Sequence, residues 1–184
     1  MILPIVAFGA PILREKCAEV TKDFTDLDIL IENMWETMYA AHGVGLAAPQ
    51  INKAIRLFII DTSPFLEDEE SDVQALKTVF INPVITLETG DEWEFNEGCL
   101  SIPEIREEVS RKPYISIRYY DEEFNQHIER FSDIPARIIQ HEYDHMQGID
   151  FRTRAGRISL DIAQRKVKRA TRKMKKMAEN KKMP

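Results

Sequence analysis

No stretch of this chain constrains its fold more than Gln140-His141-Glu142-Tyr143-Asp144-His145. Two histidines four positions apart share one face of an α-helix, so both imidazoles can grip a single ion. Glu142 follows His141 by about 100° of helical rotation. At the edge of that face it can take a proton from a metal-activated water without being a ligand. Two ligands do not complete a catalytic site. The fold has to carry a third donor to this helix and leave one position open.

Few residues can be that donor. Six positions after His145, where metzincin proteases carry a third histidine, stands Phe151, which cannot bind metal. Glu179, a thermolysin-like alternative, sits far downstream in a basic tail and is poorly placed. An upstream ligand is required, and Cys99 in Glu97-Gly98-Cys99-Leu100-Ser101 is the candidate. Gly98 frees the backbone beside it and Pro103 stiffens the far side. Cys17, the only other cysteine, is expected to be a small buried hydrophobe. Two cysteines make no disulfide framework, so a reducing compartment is the natural setting. His42 and His127 read as surface or turn residues without a metal role. Asp144 supports the helix, backs the metal ligands from behind, or is a solvated acid, and Arg106 meets either substrate backbone or a nearby acid.

Around these motifs the periodicity predicts a mixed fold. From Thr25 to Ala41, Leu27, Leu30, Ile31, Met34, Trp35 and Met38 recur at three- and four-residue steps, which buries one helical face. Thr25 and Asp28 suit an N-terminal cap, and Gly43 a left-handed stop. Short runs rich in β-branched and aromatic residues follow at 56–61, 78–82 and 114–120. The last pairs with 126–131 as an antiparallel hairpin. A second helix starts near Asp133, with Pro135 in its first turn, and runs to Gly148. A third spans about Ser159 to Met177. Ser63 to Asp72 is an acidic, solvated loop. Residues 1–184 are expected to form one α+β domain, largely antiparallel strands around the metal-binding helix.

Three segments, Gly43-Val44-Gly45-Leu46-Ala47-Ala48-Pro49-Gln50, Glu97-Gly98-Cys99-Leu100-Ser101 and Gln140–His145, resemble in order and spacing the signature motifs of peptide deformylases. The resemblance extends over most of the chain. It implies Cys99, His141 and His145 as metal ligands and Glu142 as general acid and base. It also implies that the Gln50 side-chain amide and the Leu100 backbone N–H receive the oxyanion. A substrate peptide would lie along Gly45 as an added strand, with Val44 lining a methionine pocket. The implied reaction is removal of formyl from the N-terminal formyl-methionine of nascent chains. The implied metal is ferrous iron, with zinc, nickel or cobalt able to take its place; one thiolate and two imidazoles suit several of these ions alike. Met146 and the long acidic 63–72 stretch depart from the family pattern without touching these residues.

Charge is divided unevenly. The stretch from Arg154 to Pro184 holds 12 Lys and Arg against two acids, leaving 13 basic and 29 acidic residues ahead of it. Residues 157–184 therefore read as a basic C-terminal helix and tail, either simply solvated or docked on ribosomal RNA, as the C-terminal helix is in some relatives. No run approaches the roughly 20 apolar residues of a membrane span, and the N-terminus lacks a signal-peptide pattern, so the cytoplasm is the expected location. Two other readings compete. A zinc endopeptidase of the His-Glu-x-x-His type accounts for the helix but leaves the other two motifs without purpose. A non-catalytic RNA-binding protein accounts only for the tail.

Overall fold

The computed structural model describes residues 1–66 and 73–149. The expected basic helix at 157–184, and Glu67 to Asp72 of the acidic loop, lie outside the described residues. The rest is α+β, as expected. Helix α1 (Leu27–Ala40) is followed by strands β1 (Gly45–Ala47), β2 (Leu57–Asp61), β3 (Lys77–Thr89), β4 (Trp93–Cys99), β5 (Ile102–Arg111), β6 (Tyr114–Tyr120) and β7 (Gln126–Ser132), then helix α2 (Asp133–Met146). Five strands form one antiparallel sheet in the order β1-β2-β3-β6-β7, and β4 and β5 pair separately.

Every residue of β2 is buried, because both faces of the sheet are covered at that strand. Phe58 and Ile60 face α2 residues Ala136, Ile139 and Met146, joined by Phe80, Ile117 and Phe131. Leu57 and Ile59 join Ile31, Met34 and Met38 of α1 on the other face. A continuous apolar strand between two amphipathic helices accounts for the 56–61 run in the sequence. β3 is longer than the sequence suggested, and its register slips between Ile81 and Val84. Pro83, which has no N–H for the ladder, stands in that slip, where its carbonyl accepts from Arg56.

Two helix-end expectations are corrected. α1 starts at Leu27 behind Asp26, whose φ of 58° is left-handed, and no side chain caps it, so Thr25 has no such role. At the other end the left-handed residue is His42 (φ 55°), one position before Gly43. The Gly43 N–H reaches back to the Met38 carbonyl at 2.9 Å, closing the helix end. Gly148 (φ 68°) stands one residue past the Gln147 cap of α2, and an added Cβ there would lie 2.5 Å from the Arg14 carbonyl oxygen. Two strands went unread in the sequence altogether, β4 and β5, and they carry Cys99.

Candidate metal centre

Cys99 ends β4, where the β4–β5 register shifts after Gly98. His141 and His145 project from α2 at 5.2 Å between ring centroids. One donor atom from each of the three residues can be chosen so that all lie within 4.8 Å of one another, and all three residues are buried. Cys99 Sγ stands 3.3 Å from His145 Nε2. His141 Nδ1 lies 2.9 Å from Glu97 Oε2; an Nδ1–H donated there turns Nε2 toward the cysteine.

The electrostatics fit a cation. Burial alone would raise the Cys99 thiol, but the charge on His145 and hydrogen bonds from both histidines bring it down to about 5. It is therefore a thiolate at neutral pH, the form that binds metal. Glu142 is 4% exposed, and burial lifts its pKa above the usual carboxylate range, against the pull of His141 and His145. Its Oε2 is buried without a hydrogen-bond partner among the described residues. A desolvated carboxylate with an idle oxygen is suited to receive a proton. The donor set and this unpartnered oxygen both suit a bound divalent ion with its water.

The segment before β2 closes the other side. Gly45 lies against Glu142 so tightly that an added Cβ would stand 2.5 Å from Oε1 and 2.9 Å from Cγ and Cδ. Gln50, 1% exposed, sits in the 3-10 turn Ala48–Ile51. Its Oε1 accepts from the Ala47 N–H at 2.8 Å, so Nε2 points toward Cys99 Sγ (3.7 Å) and Ser101 Oγ (3.4 Å). Leu100 occupies the turn between β4 and β5. Val44, Gly45, Gln50, Leu100, His141 and Glu142 all border one cavity of about 550 Å³. His127 pairs instead with Asp121 at 2.8 Å, and exposed His42 stands at the cavity rim.

Three residues that sequence reasoning gave no role hold the centre from behind. Glu97 is clamped by Arg111 (Nε–Oε1, 2.7 Å) and Arg137 (Nη1–Oε1, 3.0 Å). Burial would raise its pKa, yet hydrogen bonds from His141 and Arg111 bring it down to about 2. Asp144 is no solvated acid; it is buried and pairs with Arg111 at 2.7 Å. Arg106 pairs with no acid among the described residues; it donates to the Asn96 carbonyl at 3.3 Å, beside the cavity. The one sequence signal for Arg137 was its spacing, four residues before His141 on the same helical face.

A buried thiolate and two imidazoles within reach of one another, with Cys99, His141 and the desolvated Glu142 bordering one cavity, have the makings of a metal-dependent hydrolase. Comparison with known proteins narrows that class. The sequence model for polypeptide deformylase matches residues 2–161, and the chain belongs to that family of metal-dependent hydrolases. It is 55% identical over 157 residues to the peptide deformylase of Christiangramia forsetii, covering 82% of this chain and 80% of that one. With the Flavobacterium johnsoniae peptide deformylase it shares 48% identity over 177 residues, covering 93% and 90%. Among solved structures, the Synechococcus elongatus peptide deformylase superposes with a TM-score of 0.80 at 36% identity, covering 89% and 86%. The Legionella pneumophila peptide deformylase gives 0.81 at 31% identity over the whole of both chains. The activity is accordingly hydrolysis of the N-terminal formamide of formyl-methionine peptides, and the endopeptidase reading finds no support. No helix among the described residues is long and apolar enough to cross a membrane.

Proposed function

We propose that Cys99, His141 and His145 hold one divalent ion, that Glu142 moves the proton, and that Gln50 Nε2 and the Leu100 N–H receive the oxyanion. When bound, the ion supplies an acidified water and polarises the formyl oxygen. The chain does the rest. The water oxygen bonds to the formyl carbon as a Glu142 oxygen takes its proton. The C–N bond then breaks, Glu142 returns the proton to the leaving nitrogen, and formate and a free methionine amine result. Gln50 is preorganised because its carbonyl is already held by Ala47, so its N–H meets charge that exists only in the transition state. Val44 borders the methionine side chain, and the peptide backbone lies beside Gly45, where no Cβ intervenes.

The observation that carries this reading is the buried, partnerless Oε2 of Glu142 beside the three donors. Glu142→Gln should keep its metal and lose formate release from formyl-Met-Ala by several orders of magnitude. Turnover near the wild-type rate in a metal-loaded Gln variant removes Glu142 from the reaction. We further propose ferrous iron as the resident ion, zinc, nickel or cobalt being able to replace it, which metal analysis after anaerobic purification decides. Residues 1–184 act as one domain in the cytoplasm, and the basic 157–184 segment docks on the ribosome where formylated chains emerge. Its 11 Lys and Arg against two acids support that docking. Truncation after Leu160 should abolish ribosome co-sedimentation and spare hydrolysis of the short peptide; retained co-sedimentation rules the docking out.

A further inference from the structure

We infer that Arg137 is a positioning residue that clips the cysteine-bearing strand pair to α2 and so sets the distance between Cys99 and the two imidazoles; the inference rests on the ligand assignment proposed above. Among the described residues, Cys99 belongs to a two-stranded sheet with no ladder hydrogen bonds to the five-stranded one. Such a pair is marginal alone, and its own apolar cluster is small: Cys99, Ile102, Ile105 and Val109, with Phe8 against it. Something else has to hold the thiolate at the histidines.

That hold comes from one face of α2. Arg137, His141 and Asp144 stand at i, i+4 and i+7, and each bonds to β4 or β5. His141 reaches Glu97 and Asp144 reaches Arg111. Arg137 grips both strands at the backbone. Its Nη2 donates to the Trp93 carbonyl of β4 at 2.7 Å, and its Nη1 to the Val109 carbonyl of β5 at 2.7 Å. The same Nη1 reaches Glu97 Oε1 at 3.0 Å. Its guanidinium lies 4.4 Å from the Trp93 ring centroid and 5.8 Å from that of Phe95, and the residue is 2% exposed. A planar fork held by two carbonyls, a carboxylate and two rings has little freedom. Lysine keeps the charge but cannot span both carbonyls. Glutamine loses the charge and leaves Glu97 with Arg111 and His141.

The test follows metal release rather than turnover. Wild type, Arg137→Gln and Arg137→Lys are loaded with Co²⁺, their absorption spectra recorded, and loss of metal to excess EDTA timed. Groups behind metal ligands typically change metal affinity about 10–100-fold. Release should quicken about 10–100-fold in Arg137→Gln and by less in Arg137→Lys, with shifted cobalt and thiolate-to-cobalt bands in the Gln protein. Ile31→Ala, a core change on α1, should lower Tm without altering release. Wild-type spectra and release in a folded Arg137→Gln overturn the inference. Where that variant does not fold, release at the wild-type rate from Arg137→Lys overturns it equally. Cys99→Ala separates the two levels: if it loads Co²⁺ as tightly as wild type, the ligand assignment itself fails. If it does not load and the Arg137 variants release normally, only the clip fails.

Discussion

Replacing Gly45 with alanine puts a methyl group where Glu142 already stands. The added carbon would lie 2.5 Å from Oε1, and ordinary contact starts near 3.4 Å, so the carboxylate must retreat by about 0.9 Å. It cannot do so freely, being 4% exposed on a helix whose neighbouring turns are buried. Misplacing a catalytic group by about 1 Å can cost about 10²-fold in rate. Gly45→Ala should therefore lower kcat for formyl-Met-Ala about 10²-fold, equivalent to about 2.7 kcal/mol of transition-state stabilisation. Metal content should be unchanged, because the methyl points at Glu142 and not at Cys99, His141 or His145. The assay is formate release at saturating peptide, with metal measured on the same preparation. A kcat within threefold of wild type at full metal loading refutes the argument. Loss of metal in step with activity refutes it too, by placing the damage at the ligands.

Further predictions concern the groups around that carboxylate. Glu97 has a folded pKa of about 2 against an ordinary 4.5, so its contribution is fully present above pH 4.5 and is lost as pH falls toward 2. That lowering amounts to about 3 kcal/mol, most of it gone by pH 3. Urea unfolding of metal-free wild type and Glu97→Gln at pH 7 and pH 3 should show the wild type losing about 2 kcal/mol more between the two; equal losses contradict this. Gln50→Leu removes one proposed oxyanion donor and should cut kcat about 10²–10³-fold with little change in metal content; a change confined to KM assigns Gln50 to binding instead. Phe80, fully buried and stacked 4.7 Å from Phe58, should cost about 3–5 kcal/mol when replaced by alanine, read as a fall in Tm with no change in the bound-metal spectrum.

Elements whose burial follows hydrophobic periodicity could be read directly from the chain. α1, α2 and β6 lie within two residues of their expected bounds, and β2 and β7 within one, because Leu30, Met34, Phe58, Ile117 and Ile139 each face the core their spacing implies. β4 and β5 were hidden because their inward positions include Glu97 and Arg111. A pattern rule sends charged residues to solvent; here they are buried as partners of each other. The same blind spot concealed Arg137 and left Asp144 undecided. Turn conformation was also illegible: Asp26 and His42 take left-handed backbones that asparagine or glycine more commonly adopts. The motif residues were easier. Histidine, glutamate and cysteine advertise their chemistry by type, and the helical repeat fixes two of the three donors relative to one another. What joins them to the third is a set of ion pairs that no local pattern encodes.

The brevity of β1 carries a consequence of its own. If the substrate peptide adds to β1 as proposed, three residues at about 3.4 Å each offer it about 10 Å of backbone to pair with. A peptide aligned there is read over its opening residues and then runs off the sheet into water. On the proposed alignment, such a short ruler would check the leading end of a polypeptide and leave everything behind it unread, so that one protein could serve newly begun chains of differing sequence.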